Sequence, residues 1–189
     1  MGTTAPPLKT IFTIGHSTHT FEEFLELLKA HGIDTLVDIR SLPGSRKFPQ
    51  YNSDNLEVQL PRHGIQYRLM KELGGRRKVS PESINTGWRH KAFRGYADYM
   101  ATAEFADALD DLATFCIDRT CAIMCAEAVP WRCHRNLVSD ALVLLKNIPV
   151  RHIMSKTKSD LHKPMSFANI AGNHVIYPAP DDLFENSQS

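Results

Sequence analysis

The stretch Cys125-Ala126-Glu127-Ala128-Val129-Pro130-Trp131-Arg132-Cys133-His134-Arg135 puts two thiols, a carboxylate, an imidazole and two guanidiniums into eleven residues. Each of these can do chemistry near neutral pH. A thiol becomes a nucleophile once ionised, and an imidazole or a helix N-terminus promotes that ionisation. A carboxylate can act as nucleophile or general base. A guanidinium holds an anion in a planar fork. The apolar run Cys121 to Cys125 leads into the stretch, and a helix-like run, Asn136 to Lys146, leads out of it. Strand, polar turn and helix N-terminus, in that order, hold an anion next to a reactive group in many α/β enzymes.

Three chemistries are open to these residues. In the first, Cys125 or Cys133 is the nucleophile of a hydrolase or transferase, activated by His134, His16 or the helix N-terminus, with Arg135 and Arg40 on an anionic substrate. The loop is not that of a cysteine phosphatase, which spaces Cys and Arg by five residues. Here six residues separate Cys125 from Arg132 and nine separate it from Arg135. A Cys125–Cys133 redox pair is a variant of this reading, with a wider spacing than Cys-x-x-Cys. In the second, Glu127 acts on a sugar–base bond while Arg135 and Arg40 anchor phosphate. In the third, zinc sits on Cys125, Cys133 and His134 with Asp38 or His16. Adjacent Cys and His rarely point at one ion, so nothing here requires a cofactor. Cys116 and Cys121 read as core residues.

The elements that must position these groups follow from hydrophobic periodicity. Thr10 to Ile14 reads as a buried strand closed by Gly15. Thr20-Phe-Glu-Glu23 is a capping box opening a helix to about Ala30. Ile33 to Ile39 is the second strand, and Asn52 or Ser53 caps a short helix that Gly64 ends. Ile65 to Met70 is the third strand. One long amphipathic helix is expected from Gly95 to Cys116. Thr120 to Cys125 is the fourth strand and Pro149 to Met154 the fifth. Strict alternation of strand and helix predicts a single Rossmann-like three-layer α/β domain over residues 10–155, a mainly parallel five-stranded sheet with helices on both faces. Residues 1–9 read as a flexible lead. Residues 156–189 read as an extension in which Val175 to Tyr177 adds an edge strand before a loose tail.

Ligands of an open parallel sheet bind beyond the carboxyl ends of its strands. Those ends are Gly15-His16-Ser17, Asp38-Ile39-Arg40-Ser41, the Leu73-Gly74-Gly75 turn after strand three, and Cys125-Ala126-Glu127. The candidate catalytic residues are thus Cys125, Glu127, Cys133, His134 and His16. The candidate ligand-binding residues are Gly15, Ser17, Asp38, Arg40, Ser41, Gly74, Gly75 and Arg135. Gly15 would let a ligand approach the backbone. Asp38 and Arg40 share a strand face and could form an ion pair. Arg76, Arg77 and Lys78 read as surface charges.

The chain has 189 residues and a net charge of +1, with no run of ~20 apolar residues and no secretory leader in Met1 to Lys9. Four cysteines in that context read as free thiols of a cytoplasmic protein. Residues 40–94 carry twelve Lys or Arg against four acids. Such a field favours an anionic small molecule or nucleotide, and the lack of a long apolar run predicts no membrane span. With Phe48, Tyr51, Tyr67, Trp88 and Phe93 interspersed, the same segment offers a second reading as a non-catalytic nucleic-acid surface.

Together, Gly15-His16-Ser17, Asp38-Ile39-Arg40-Ser41 with Pro43 and Ser45, Leu73-Gly74-Gly75, Gly95-Tyr96 and Cys125-Ala-Glu127…Pro130…Cys133-His134-Arg135 resemble the prokaryotic family called domain of unknown function four hundred eighty-eight. The resemblance spans roughly residues 10–155. It implies one Rossmann-like α/β domain with a site at these motifs. It implies no particular activity.

Overall fold

The structure is a computed structural model in which residues 9–179 are described. The expected lead before Lys9 and the tail after residue 179 lie outside them. The elements in chain order are β1 (Ile11–Gly15), α1 (Phe21–Ala30), β2 (Thr35–Asp38), α2 (Ser53–Arg62), β3 (Gln66–Leu69), α3 (Lys91–Tyr99), α4 (Ala103–Phe115), β4 (Cys121–Cys125), α5 (Arg135–Lys146), β5 (Val150–Ile153), β6 (Ser159–Leu161), β7 (Asn169–Ala171) and β8 (His174–Ile176). The main sheet runs β3-β2-β4-β1-β5-β6, parallel except for β6, which pairs antiparallel with β5.

Strand alternation divides the core in two. Ile11, Val37, Cys121, Ile123 and Val150 pack with buried residues of α3, α4 and α5. Ile14, Leu36, Ala122 and Met124 pack with Phe24, Leu25 and Leu28 of α1 and with Leu56 and Leu60 of α2. Consecutive residues of one strand therefore serve opposite layers, the period-two signature of a sheet covered on both faces.

Local chemistry explains the starts and stops. The capping box forms in full: Glu23 N–H donates to Thr20 Oγ1 at 3.2 Å, and Thr20 N–H donates to Glu23 Oε2 at 2.8 Å. Gly64, with φ +76, follows α2 as only a residue without Cβ does easily. The single helix expected over 95–116 is two helices. The first begins earlier, at Lys91, where the His90 ring accepts from Ala92 N–H. The second begins where the Thr102 hydroxyl accepts from Phe105 N–H at 3.3 Å. An apolar stripe continues across this break because both helices lie on one core, and a capping threonine interrupts the backbone without interrupting the stripe.

Two further expectations need correction. The main sheet has six strands, not five, because the short polar segment Ser159–Leu161 extends its edge. The residues from Val175 onward do not join that edge. His174–Ile176 instead pairs antiparallel with Asn169–Ala171 as a separate two-stranded sheet.

A buried polar chain fastens these C-terminal residues to the core. Thr13 Oγ1 donates to His152 Nδ1 at 2.8 Å, and His152 Nε2 lies 2.9 Å from His162 Nδ1. His162 Nε2 donates to Asp140 Oδ1 at 2.7 Å, and the Tyr177 hydroxyl donates to Asp140 Oδ2 at 2.8 Å. One assignment of protons satisfies every link with both imidazoles neutral. The chain thereby ties β1, β5, α5 and the segment after β8 together.

Candidate functional site

The topology sets the address of the site. The chain leaves β1 and β2 through α1 and α2 on one face, and leaves β4 through α5 on the other. Because β4 lies between β2 and β1, connections part on both of its sides, and a crevice opens at its carboxyl end. Register brings Gly15 level with Cys125, and Asp38 level with Met124. Three adjoining cavities of about 600, 400 and 230 Å³ occupy this rim and share Arg76. The largest is floored by Phe93, Tyr96 and Cys133. The second is lined by His16, Ser17, Arg40 and Ser45. Cys125 and His134 line the first and third, and Glu127 faces the first two.

Cys125 and Cys133 are brought together. Both are buried, and their sulfurs lie 2.7 Å apart, with Cys133 as donor. A short helical turn, Pro130–Arg132, folds the loop back so that residue 133 returns to the strand end. Cys133 Sγ also accepts the Arg135 N–H at 3.5 Å, from the first turn of α5. Donation by Cys133 is the main force holding the Cys125 thiol well below the ordinary thiol range; the His134 imidazole adds to it, against the cost of burial. Burial, reinforced by its bond to Cys125, pushes Cys133 the other way. The hydrogen bond thus favours ionisation of Cys125 over Cys133.

His134 is fixed as their neighbour. Its Nε2 donates to the Ile39 carbonyl at 3.0 Å, because a carbonyl can only accept. That leaves Nδ1 free to face Cys133 Sγ at 3.6 Å. Gly75 packs against the same edge, where a Cβ would lie 3.0 Å from Nδ1. The nearest ligand atoms of Cys125, Cys133 and His134 all lie within 4.8 Å of one another, so these three are the candidate metal group. A tetrahedral zinc holds two thiolates about 3.8 Å apart, so this pair would have to open by about 1 Å to share an ion. As arranged, the site is a hydrogen-bonded sulfur pair.

Asp38 and Arg40 form the buried ion pair that their parity suggested. Arg40 Nε and Nη2 donate to the two Asp38 oxygens at 2.8 and 2.6 Å, and Tyr67 OH donates to Oδ2 at 2.8 Å. Arg40 Nη2 also reaches the Tyr51 carbonyl at 2.6 Å. Nη1 donates to His16 Nε2 at 3.3 Å, and Arg40 lines the second and third cavities. Asp38, fully buried, orients Arg40 instead of touching a ligand.

His16 stacks on Tyr51, with centroids 4.1 Å apart and planes 13° from parallel, and its Nδ1 donates to Ser17 O. Burial is the main cause that lowers its pKa to about 4. Burial likewise lowers His152 to about 3. Both imidazoles are neutral when folded, whereas in the unfolded chain they ionise near 6.5. The unfolded state therefore takes up protons that the native state refuses. Stability is complete above about pH 6.5 and falls as pH drops towards 4 for His16 and 3 for His152. We expect a loss of about 1–2 kcal/mol per histidine at about pH 5 relative to neutral pH, read as a lower urea midpoint. Replacing His152 with Asn should flatten that dependence.

Several expected ligand residues turn out to build the site. Arg135 is 1% exposed and donates to the carbonyls of Glu127 and Ala128 at 2.7 and 2.8 Å, while its Nε has no partner among the described residues. It clamps the loop and does not line the cleft. Gly15 allows a close backbone approach, but the Glu127 carbonyl occupies the space its Cβ would need. Gly74 is crossed the same way by Ser41 Oγ, which donates to Gly75 O at 2.7 Å. Glu127 is exposed, and its Oε1 accepts from Ala128 N–H at 3.0 Å.

Other residues were missed. Arg76, read as surface charge, borders all three cavities and has φ 62, a left-handed conformation disfavoured for arginine. Ser17, an expected ligand residue, lines the second cavity and shares the left-handed conformation, with φ 48. For Arg76 the only sequence signal was the neighbouring Gly75. Tyr51 and Phe93 were expected on a nucleic-acid surface; Tyr51 instead stacks under His16 and Phe93 lines the largest cavity.

Residues 20–142 match the family described as domain of unknown function DUF488. No curated protein and no solved structure matches the chain.

Proposed function

The chain belongs to that family, whose description carries no activity, and from the chemistry of its cleft we propose an enzyme, a hydrolase or transferase, that uses Cys125 as a covalent nucleophile on a phosphorylated or nucleotide-like substrate. The observation that carries this reading is the Cys133 thiol donating at 2.7 Å to a Cys125 sulfur at the strand end, on the wall of the cleft. A thiolate made and held by a neighbouring donor is what a nucleophile at neutral pH needs. The two larger cavities suit two parts of one substrate. Arg40 Nη1, Arg76 and the Ser17 hydroxyl would take the anionic part. Phe93 and the Tyr96 ring would take a flat or apolar part. Cys125 lies between them. Glu127 borders both cavities and is placed to activate the water or second acceptor that resolves the thio-intermediate.

The Rossmann-like reading of the three layers agrees with a nucleotide in this crevice. Four free thiols suit a reducing, cytoplasmic setting. Among the described residues, no helix is long and apolar enough to cross a membrane. The nucleic-acid reading has less support. Tyr51 is fully buried, Tyr67 donates to Asp38, and Trp88 packs on Phe93, Phe167 and Tyr177, so these rings serve the interior instead of a stacking surface.

The test is alkylation by iodoacetamide, with the modified cysteine located by mass spectrometry. Cys125 should react first, and its rate should stay nearly flat from about pH 8 to about pH 6, where an ordinary thiol slows about 100-fold. Nucleoside monophosphates should slow the labelling, and Cys125→Ser should abolish it. Alkylation with the steep profile of a free thiol would overturn the reading, as would protection by zinc that a chelator reverses.

A further inference from the structure

The two sulfurs at the β4 end are a pair, and pairing adds a chemistry that a single nucleophile lacks. Both line the 600 Å³ cavity, so a small oxidant can reach them. His134 Nδ1, 3.6 Å from Cys133 Sγ with its other nitrogen committed to Ile39, can take the Cys133 proton. The other two cysteines provide a contrast within the chain. Cys116 and Cys121 are neighbours too, and all four cysteines are buried, but Cys116 and Cys121 lie in the core and none of the cleft cavities includes them.

We propose, resting on the reading of Cys125 as the nucleophile, that Cys133 is its resolving thiol and that the pair reduces hydroperoxides by two electrons. The Cys125 thiolate attacks the terminal oxygen of R–O–O–H. An S–O bond forms, the O–O bond breaks, and the departing alkoxide takes back from solvent the proton that Cys125 released on ionising, becoming the alcohol. Cys125 is then a sulfenic acid. The Cys133 proton passes to His134 Nδ1, and the Cys133 thiolate attacks the Cys125 sulfur. An S–S bond forms, the S–O bond breaks, and the hydroxide leaves as water with the proton from His134. One hydroperoxide has become an alcohol and a water, and two thiols have become one disulfide. A small dithiol such as dithiothreitol reverses the change by thiol–disulfide exchange.

The experiment treats the full chain with one equivalent of hydrogen peroxide, counts thiols after denaturation, and maps the linked peptides. Two thiols should disappear, Cys125 should be joined to Cys133, and Cys116 and Cys121 should remain free. Cys133→Ser, whose hydroxyl can still donate to Cys125, should react with peroxide but stop at a sulfenic acid on Cys125, which dimedone captures. Cys125→Ser should keep all three remaining thiols. His134→Ala should slow the second step more than the first, so that dimedone competes for the sulfenic acid. If Cys125 alkylates with a flat pH profile and yet peroxide leaves four thiols, the reductase inference fails and the nucleophile reading stands. If alkylation is slow as well, both fail. A bond between Cys116 and Cys121 instead would also overturn the inference.

Discussion

Replacing Asp38 with Ala is expected to lower the unfolding free energy by about 3–5 kcal/mol, the cost of leaving a buried charge unpaired. Asp38 is fully buried and Arg40 is 7% exposed. Two of the guanidinium nitrogens depend on that carboxylate, as do the Arg40 N–H at 3.0 Å and the Tyr67 hydroxyl. Asp38→Asn keeps the shape and loses the charge, so it should fall between the variant and the wild type. The readout is the denaturant midpoint at constant slope. The same substitution should weaken protection of Cys125 by nucleoside monophosphates, because the Arg40 guanidinium is aimed by the two bonds it makes to Asp38. A midpoint within about 0.5 kcal/mol of the wild type would show that Arg40 finds water or another acceptor, as exposed pairs do.

The second large effect is expected at Gly15. An Ala Cβ would fall inside the Glu127 carbonyl and 2.7 Å from Arg135 Nη1. Neither neighbour can yield freely. The Glu127 carbonyl is held by that same arginine, and the adjoining backbone is tied to β1 by His16 N–H to Cys125 O and Ser17 N–H to Ala126 O, both at 3.0 Å. Overpacking at such a contact costs about 1–3 kcal/mol, and the upper end is expected where backbone meets backbone. The effect on chemistry should exceed the effect on stability, because the displaced loop carries Cys133 back to Cys125. The flat pH profile of Cys125 alkylation should become that of an ordinary thiol. Gly32, with φ +65 but open space around it, makes the comparison: Gly32→Ala should cost stability through backbone strain and leave the alkylation profile unchanged.

These two residues show what could be read from the chain. Gly15, Asp38, Arg40 and Cys125 follow short apolar runs in a strand–helix alternation, and that alternation is enough to place them on one rim. Their partners are another matter. Arg135 was expected on a ligand because guanidiniums bind anions. In the fold it meets two carbonyls of the preceding loop, a contact that exists only once the loop has turned back over the strand. Arg76 was expected in solvent because it follows two glycines in a polar stretch. It borders the cleft because Gly74 lets that stretch cross Ser41. The sixth strand was invisible for a similar reason: Ser159–Leu161 is short and polar, and it becomes a strand only by pairing with β5.

What the amino-acid sequence determined by itself is the set of elements, their layering and the level at which the reactive groups emerge. Those depend on period-two and period-3.6 burial, capping residues and glycine stops, all of them local. What only the tertiary structure decided is which reactive groups meet. The sulfur pair rests on a loop that turns back over the strand end, and the proton on His134 and the contact of Arg40 with His16 rest on residues further off in the chain. Sequence spacing cannot carry that information, because the reactivity of a thiol or a guanidinium is set by the few atoms within hydrogen-bonding distance of it, and the fold alone chooses those atoms.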